Sequence, residues 1–105
     1  MSEESAAVLA ALGRRGWTLG IAESLTGGAL CADVVAIPGA SAVLLGGVVA
    51  YATPVKATVL GVDAALLAAH GPVHPQVALQ MADGVRDVVG VGGAPPDVGV
   101  STTGI

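Results

Sequence analysis

The chain has 105 residues, of which 53% are hydrophobic and only 11% are charged, with a net charge of −4. The length suits one domain, and this apolar composition excludes an intrinsically disordered chain. The four basic residues are scattered, so there is no basic patch and nucleic-acid binding is not expected. One cysteine excludes an internal disulfide, and no Cys/His cluster has metal-ligand spacing, so no metal is expected.

Two features bear on location. Acidic Glu3 and Glu4 stand where a secretory signal would carry basic residues, so no such signal is expected, and with its single cysteine the chain is expected to be cytoplasmic. The stretch 34–55 carries no charge and is long enough to span a bilayer. Because Pro38-Gly39 and other breakers interrupt it, a loop followed by a buried strand is the better interpretation, and no membrane partner is expected.

The first half of the chain alternates between helical and extended patterns. Apolar spacing and bounding glycines predict, in chain order, a helix at 3–15, a strand at 17–22, a helix that follows the Thr26-Gly27-Gly28 segment and runs to about Ala36, and a strand at 43–51. The strand at 43–51 is apolar on both faces, which is typical of a parallel sheet covered by helices. It is therefore predicted to be fully buried.

The second half continues the alternation. Thr53 and Pro54 predict a helix with threonine as the N-cap and proline at the first helical position. Further predictions are a helix from Asp63 to His70, a helix at 74–89, a loop at 91–96 and a strand at 97–102. The helix at 74–89 has an apolar face made of Val77, Met81, Val85 and Val88. Together the elements predict an α/β fold, a layered α/β/α sheet with helices on both faces and βαβ crossovers.

The segment 22–28, Ala-Glu-Ser-Leu-Thr-Gly-Gly, joins the first strand to the second helix. A side chain such as Ser24 lies there at the carboxyl end of the sheet, beside the unpaired N–H groups of a helix N-terminus, which can stabilise an oxyanion or a phosphate. The alternative is that Ser24 or Thr26 caps the helix and the glycines serve packing. Glu23 has two open interpretations, positioning of a neighbour or ligand and stabilisation of the turn.

Lys56 is the only lysine in the chain and falls near the third position of its predicted helix. The positive end of the helix dipole and partial burial would both lower its pKa, which suits a general base for a serine nucleophile. The alternative is an ordinary exposed lysine. Tyr51, at the end of the predicted buried strand, is expected in the core with its hydroxyl at the rim.

Several motifs in the same order resemble the CinA C-terminal domain family, the nicotinamide-nucleotide amidases that are also labelled competence/damage-inducible proteins. The matching stretches are 22–28 (AESLTGG), 37–42 (IPGASA), 46–51 (GGVVAY) with Lys56, 60–62 (LGV), 70–73 (HGPV) and 102–105 (TTGI). The similarity covers nearly the whole chain.

The resemblance implies a reaction in which the carboxamide of nicotinamide mononucleotide is hydrolysed to nicotinic acid mononucleotide and ammonia. It implies that Ser24 attacks the amide carbon, that Lys56 accepts the proton of Ser24, and that Tyr51 orients Lys56 or the substrate. No cofactor is implied. The substrate-binding residues carried over from the family are Glu23, Thr26, Gly27, Gly28, Thr102 and Thr103, with backbone N–H groups at 26–28 holding the oxyanion or the phosphate.

Two departures from the family pattern stand out. Leu25 occupies a position that is often cysteine in the family, and the chain ends at Ile105, where family members continue with Ala-Gly-Pro. The expectation is therefore one domain at residues 1–105 that lacks the family's last strands and helix. Because such an apolar domain has reason to associate, a homo-oligomer is a further expectation. The alternative to an amidase is a non-catalytic nucleotide-binding or regulatory module.

Overall fold

Helices and strands alternate along the chain in the computed structural model, which describes residues 2–105. The elements are α1 (Glu3–Arg15), β1 (Leu19–Glu23), α2 (Ala29–Val35), a 3-10 turn (Ala40–Ala42), β2 (Leu44–Val49), α3 (Thr53–Leu60), α4 (Ala64–His70), α5 (Pro75–Val88) and β3 (Val98–Ser101). Strands of one parallel sheet are thus separated by helices, which confirms the predicted α/β fold.

The sheet has the strand order β2-β1-β3, and both pairings are parallel. All five residues of β1 are buried, because this strand has a neighbour on each side and helices on each face. The prediction that 43–51 is the fully buried strand is wrong. The strand there is shorter, and as an edge strand it is only partly covered, with Val49 about half exposed.

Helices cover both faces of the sheet. Alternation along β1 points Leu19 and Ile21 to one face and Gly20 and Ala22 to the other. On the first face α1, α2 and the 3-10 turn enclose a cluster formed by Leu9, Leu19, Ile21, Val34, Ala40 and Val43. On the second face α3, α4 and α5 enclose Ala22, Ala50, Leu60, Val62, Leu67, Val77, Met81 and Val85. The layered α/β/α arrangement therefore follows the expectation.

One helix boundary and one predicted core residue differ from the prediction. Thr53 is the first residue of α3 instead of its N-cap, and Ala52 at the N-cap position supplies no side-chain hydrogen bond. In α5 the predicted core residue Val88 is 45% exposed. The buried residues of α5 recur every four positions, so the sheet-facing place after Val85 falls to Val89, which packs near Gly20 and Gly46.

The uncharged stretch 34–55 is divided among α2, the 3-10 turn, β2 and the start of α3. Within residues 2–105, none of the helices combines the length and the apolar character needed to cross a membrane.

Candidate active site

The end of β1 sends two adjacent polar side chains to opposite faces of the sheet. Glu23 follows Ile21 toward α2, and Ser24 follows Ala22 toward α3, because side chains alternate along an extended strand. Both residues are buried, Glu23 fully and Ser24 with 5% exposure. Their separate environments give them separate roles.

Ser24 meets Lys56 on the α3 side of the sheet. The Lys56 side chain is buried with 1% exposure, and its Nζ lies 2.9 Å from Ser24 Oγ. Nζ also donates to the backbone carbonyls of Ala50 at 2.8 Å and Tyr51 at 3.0 Å. These carbonyls come from the chain between β2 and α3, so one crossover supplies both the lysine and the groups that orient it.

Burial shifts the protonation equilibrium of Lys56 toward the neutral form. Burial lowers the pKa of the Lys56 ammonium below its ordinary value of 10.5, and no carboxylate within residues 2–105 pairs with it. A neutral amine has two N–H donors and one lone pair. In the ammonium form, Nζ donates to both carbonyls and to Ser24 Oγ. In the neutral form, the Ala50 and Tyr51 carbonyls can take the two N–H donors, and the lone pair then faces the hydroxyl of Ser24.

Tyr51 contributes its backbone instead of its side chain. The residue is 73% exposed, so the prediction that Tyr51 is a core residue is wrong. Among the described residues, its one hydrogen bond with Lys56 is accepted by the backbone carbonyl at 3.0 Å. Sequence reasoning missed the equivalent carbonyl of Ala50, because a backbone acceptor leaves no mark on the residue type at its position.

Glu23 caps α2 from within the protein. Its carboxylate accepts hydrogen bonds from Thr26 Oγ1 at 2.6 Å and from the backbone N–H groups of Gly28, Leu30 and Cys31 at 3.2, 2.9 and 2.9 Å. Burial by itself raises the pKa of Glu23, but these hydrogen bonds outweigh it and lower the pKa to about 2. Of the two interpretations of Glu23, stabilisation of the turn is the one its contacts match, and the carboxylate has no access to a ligand.

The glycines of the turn adopt backbone conformations that other residues rarely adopt. Gly27 and Gly28 adopt φ values of 58° and 103°, where a side chain is strained. Their N–H groups are already used, Gly27 N donating to Ser24 O and Gly28 N to Glu23. The expectation that these two N–H groups bind an oxyanion or a phosphate is therefore wrong. The N–H groups of Leu25 and Thr26 are the ones on this turn that have no acceptor within residues 2–105.

Thr102 and Thr103 follow β3 and differ in what they contact. Thr102 accepts from Ser24 N through its carbonyl at 3.1 Å and its hydroxyl at 3.3 Å, and the hydroxyl lies 2.8 Å from Thr26 Oγ1. Thr103 instead donates its hydroxyl to Pro72 O at 2.8 Å, in the loop between α4 and α5. Thr102 thus belongs to the Ser24 site, and the Thr103 hydroxyl is committed to holding the loop.

Fold and site together define a class of protein, an α/β/α domain with a buried serine–lysine pair at the carboxyl end of its central parallel strand. A family model described as the CinA C-terminal domain matches residues 2–105. The chain therefore belongs to the CinA C-terminal domain family, which confirms the resemblance read from its motifs.

Similar proteins agree with this membership. A CinA-like protein of Frankia casuarinae is 49% identical over 98 residues, which is 93% of this chain and 22% of the relative. A CinA-like protein of Synechococcus sp. strain CC9311 is 50% identical over 98 residues, with the same coverage. The chain therefore spans about a fifth of the length of these curated relatives.

A solved structure supports the fold. The crystal structure of the competence damage-inducible protein A from Klebsiella pneumoniae has a TM-score of 0.79 and 38% sequence identity to this chain. The likeness covers 88% of this chain and 55% of the other. The arrangement of elements described above is thus shared with an experimentally determined member of the family.

Proposed function

We propose that the chain is the amidase portion of a CinA-type protein and that it hydrolyses the carboxamide of nicotinamide mononucleotide through Ser24 and Lys56. The observation that carries the proposal is the buried 2.9 Å contact between Ser24 Oγ and Lys56 Nζ. A serine nucleophile needs a base within hydrogen-bond reach, and this distance satisfies that requirement. A cytoplasmic location is part of the proposal, and the single cysteine suits a reducing compartment.

The chemistry follows from the two side chains. Ser24 Oγ attacks the carboxamide carbon while its proton passes to the neutral Nζ of Lys56. As the tetrahedral intermediate collapses, the carbon–nitrogen bond breaks and Lys56 returns the proton to the leaving nitrogen, which departs as ammonia. Water then attacks the acyl-enzyme while Lys56 takes a proton from it. As the bond from carbon to Ser24 Oγ breaks, Lys56 returns that proton to Oγ, and nicotinic acid mononucleotide is released.

Negative charge on the carbonyl oxygen needs donors during both steps. We assign these to the Leu25 and Thr26 N–H groups, because they lie directly after the nucleophile and have no acceptor within residues 2–105. In many serine hydrolases the N–H of the residue after the nucleophile has this role. A backbone donor is independent of residue type, so leucine at position 25 can serve as well as another residue.

The test is ammonia release from nicotinamide mononucleotide, with an intact CinA-like relative assayed in parallel. Ser24→Ala and Lys56→Ala should each lower kcat/KM by a factor of about 100 or more, since a positioned base alone contributes about 10²–10⁴. The exposed Asp87→Asn variant is the control and should keep the full rate. Normal rates in both active-site variants would show that the serine–lysine pair is not the catalyst.

The pH dependence gives a second readout. Because the neutral amine of Lys56 is the base, kcat/KM should rise as pH increases through the lowered pKa of Lys56 and level off above it. A rate that falls over this range would contradict the assignment of Lys56. Binding of the mononucleotide without any turnover would instead favour the non-catalytic nucleotide-binding module.

A further inference from the structure

Three hydrogen bonds connect the backbone of Ser24 to the buried carboxylate of Glu23. Ser24 N lies 3.3 Å from Thr102 Oγ1, which lies 2.8 Å from Thr26 Oγ1. Thr26 Oγ1 lies 2.6 Å from Glu23 Oε1. The path runs from β1 to the residue after β3 and back to the turn that carries Ser24, so it closes a loop around the nucleophile.

Both ends of this path dictate where its protons lie. The Glu23 carboxylate can only accept, so the single hydroxyl proton of Thr26 points to Glu23. Thr26 Oγ1 must then accept from Thr102, whose own proton is thereby used. That leaves a lone pair of Thr102 Oγ1 facing the Ser24 N–H, which can only donate. Each group therefore has one orientation, and the chain of donation runs one way, from Ser24 to Glu23.

We propose that Thr102 and Thr26 are positioning residues that hold the nucleophile turn through this one-way relay, with Glu23 as its terminal acceptor. The inference rests on the proposed function, because it assigns the relay to a reaction at Ser24. Its consequence is that Ser24 is fixed from two sides. Lys56 contacts its hydroxyl from α3, and Thr102 contacts its backbone from the end of β3.

The relay also fixes the turn that follows Ser24. Thr26 is held between Thr102 and Glu23, and its N–H is one of the two that have no acceptor within residues 2–105. Loss of either threonine hydroxyl would let this turn and the Ser24 hydroxyl move relative to Lys56. The effect should appear in the rate of reaction at Ser24 rather than in the binding of a ligand.

The experiment measures the reaction of Ser24 with a small alkyl fluorophosphonate, in which the bond from Oγ to phosphorus forms, the Oγ proton passes to Lys56 and fluoride leaves. The modification is followed by intact-protein mass spectrometry. The dependence of the modification rate on reagent concentration gives the maximal rate and the concentration at half-saturation separately. The variants are Thr102→Val and Thr26→Val, which keep the side-chain shape, and Thr102→Ser and Thr26→Ser, which keep the hydroxyl. Thr18→Val is the matched control, because Thr18 also bonds a carboxylate, that of Asp97, but at the opposite end of β1.

Each valine variant should lower the maximal rate by about 3- to 10-fold, the effect expected for one hydrogen bond. The double valine variant should react at about the same rate as the slower of the two single variants, because both changes break the same relay. The serine variants should regain the wild-type rate within about twofold, and Thr18→Val should be unchanged. The proposal would be overturned if the valine variants kept the wild-type rate, or if the serine variants failed to restore it. It would also be overturned if the double valine variant lost as much rate as the product of the two single losses.

A second measurement separates the relay from the proposed function. If wild-type Ser24 does not react with the reagent, the nucleophile assignment fails, and the relay is judged by the NMR signal of the Ser24 amide proton. Thr102→Val should shift that signal upfield because one of its two acceptors is lost, and Thr102→Ser should return it. An amide signal that stays in place in Thr102→Val would show that the hydroxyl does not hold Ser24.

Discussion

Glu23 and Lys56 are both buried ionisable residues with lowered pKa values. The lowered pKa favours the charged form of Glu23 but the neutral form of Lys56. Glu23 is surrounded by a hydroxyl and three backbone N–H groups, all donors, so the charged form is stabilised. Lys56 meets two carbonyls and a hydroxyl but no carboxylate within residues 2–105, so burial lowers its pKa and favours the neutral form. One group is suited to hold structure, and the other to exchange a proton.

The charge of Glu23 should make the protein sensitive to acid. Its pKa is about 2 in the folded protein against an ordinary value of 4.5, and one pKa unit corresponds to about 1.4 kcal/mol. Glu23 therefore contributes about 3 kcal/mol of stability above pH 4.5, which is lost as pH falls from 4.5 through 2. Urea unfolding followed by circular dichroism across this range measures the loss.

Glu23→Gln should lower the free energy of unfolding at pH 7 by about 2–3 kcal/mol, because the amide NH2 is a donor placed among donors. It should also flatten the dependence on pH between 4.5 and 2. Asp87→Asn on the exposed side of α5 is the control and should stay within about 0.5 kcal/mol of wild type. An unchanged acid profile in Glu23→Gln would contradict the role of the carboxylate.

Among the helices, two interior glycines serve different purposes. Gly84 in α5 lies against the Leu60 carbonyl at the end of α3, where an added Cβ would overlap the backbone oxygen. Gly13 in α1 has room, since a Cβ there would lie 3.7 Å from Val43 Cγ2, an ordinary contact. The first glycine allows two helices to approach closely, and the second only lowers the helix propensity of α1.

The same glycine-to-alanine substitution should therefore change the free energy of unfolding in opposite directions in the two helices. Gly84→Ala should lower the free energy of unfolding by about 1–3 kcal/mol because α3 and α5 must separate. Gly13→Ala should raise it by about 0.5–1 kcal/mol, since alanine is the better helix former. Thermal or urea denaturation of both variants tests the pair, and a stabilised Gly84→Ala protein would contradict the close helix contact.

Elements that depend on local signals could be predicted from the sequence. The sequence predicts the helix Glu3–Arg15 with the bounds it has, because Val8 and Leu12 lie four positions apart and Gly16 marks its end. The predicted strand at 43–51 is longer and more buried than β2, since an apolar run does not reveal which strand lies at the sheet edge. Ser24 and Lys56 were named from their turns and the family resemblance, whereas the Ala50 and Tyr51 carbonyls and the capping role of Glu23 depend on contacts between distant segments.

At the scale of the whole molecule, one sheet separates two apolar clusters. Val34 belongs to the cluster under α1 and α2, and Val77 belongs to the cluster under α3, α4 and α5. The buried strand β1 contributes residues to both, Ile21 to the first and Ala22 to the second. Because the clusters share this strand, residues 2–105 should unfold as one unit. Association into a homo-oligomer stays a prediction.

Val34→Ala and Val77→Ala should each lower the free energy of unfolding by about 1–3 kcal/mol. The two effects should add within about 0.5 kcal/mol, because the side chains lie on opposite faces of the sheet and share no partner. Fluorescence of Trp17 and far-UV circular dichroism should report one coincident transition in all variants. A separate early transition in Val34→Ala would show that the α1 and α2 layer unfolds by itself.

Because the only lysine is buried, proteolysis at this residue can report the unfolding of the helix that carries it. A protease that cuts only after lysine has a single target in the whole chain, the bond that follows Lys56. That bond lies inside α3, and the side chain the protease must recognise is 1% exposed. Digestion should therefore proceed only through molecules in which this helix has left the sheet, and should yield two fragments. The cleavage rate then counts how often the Ser24–Lys56 contact is broken by unfolding, without any substrate.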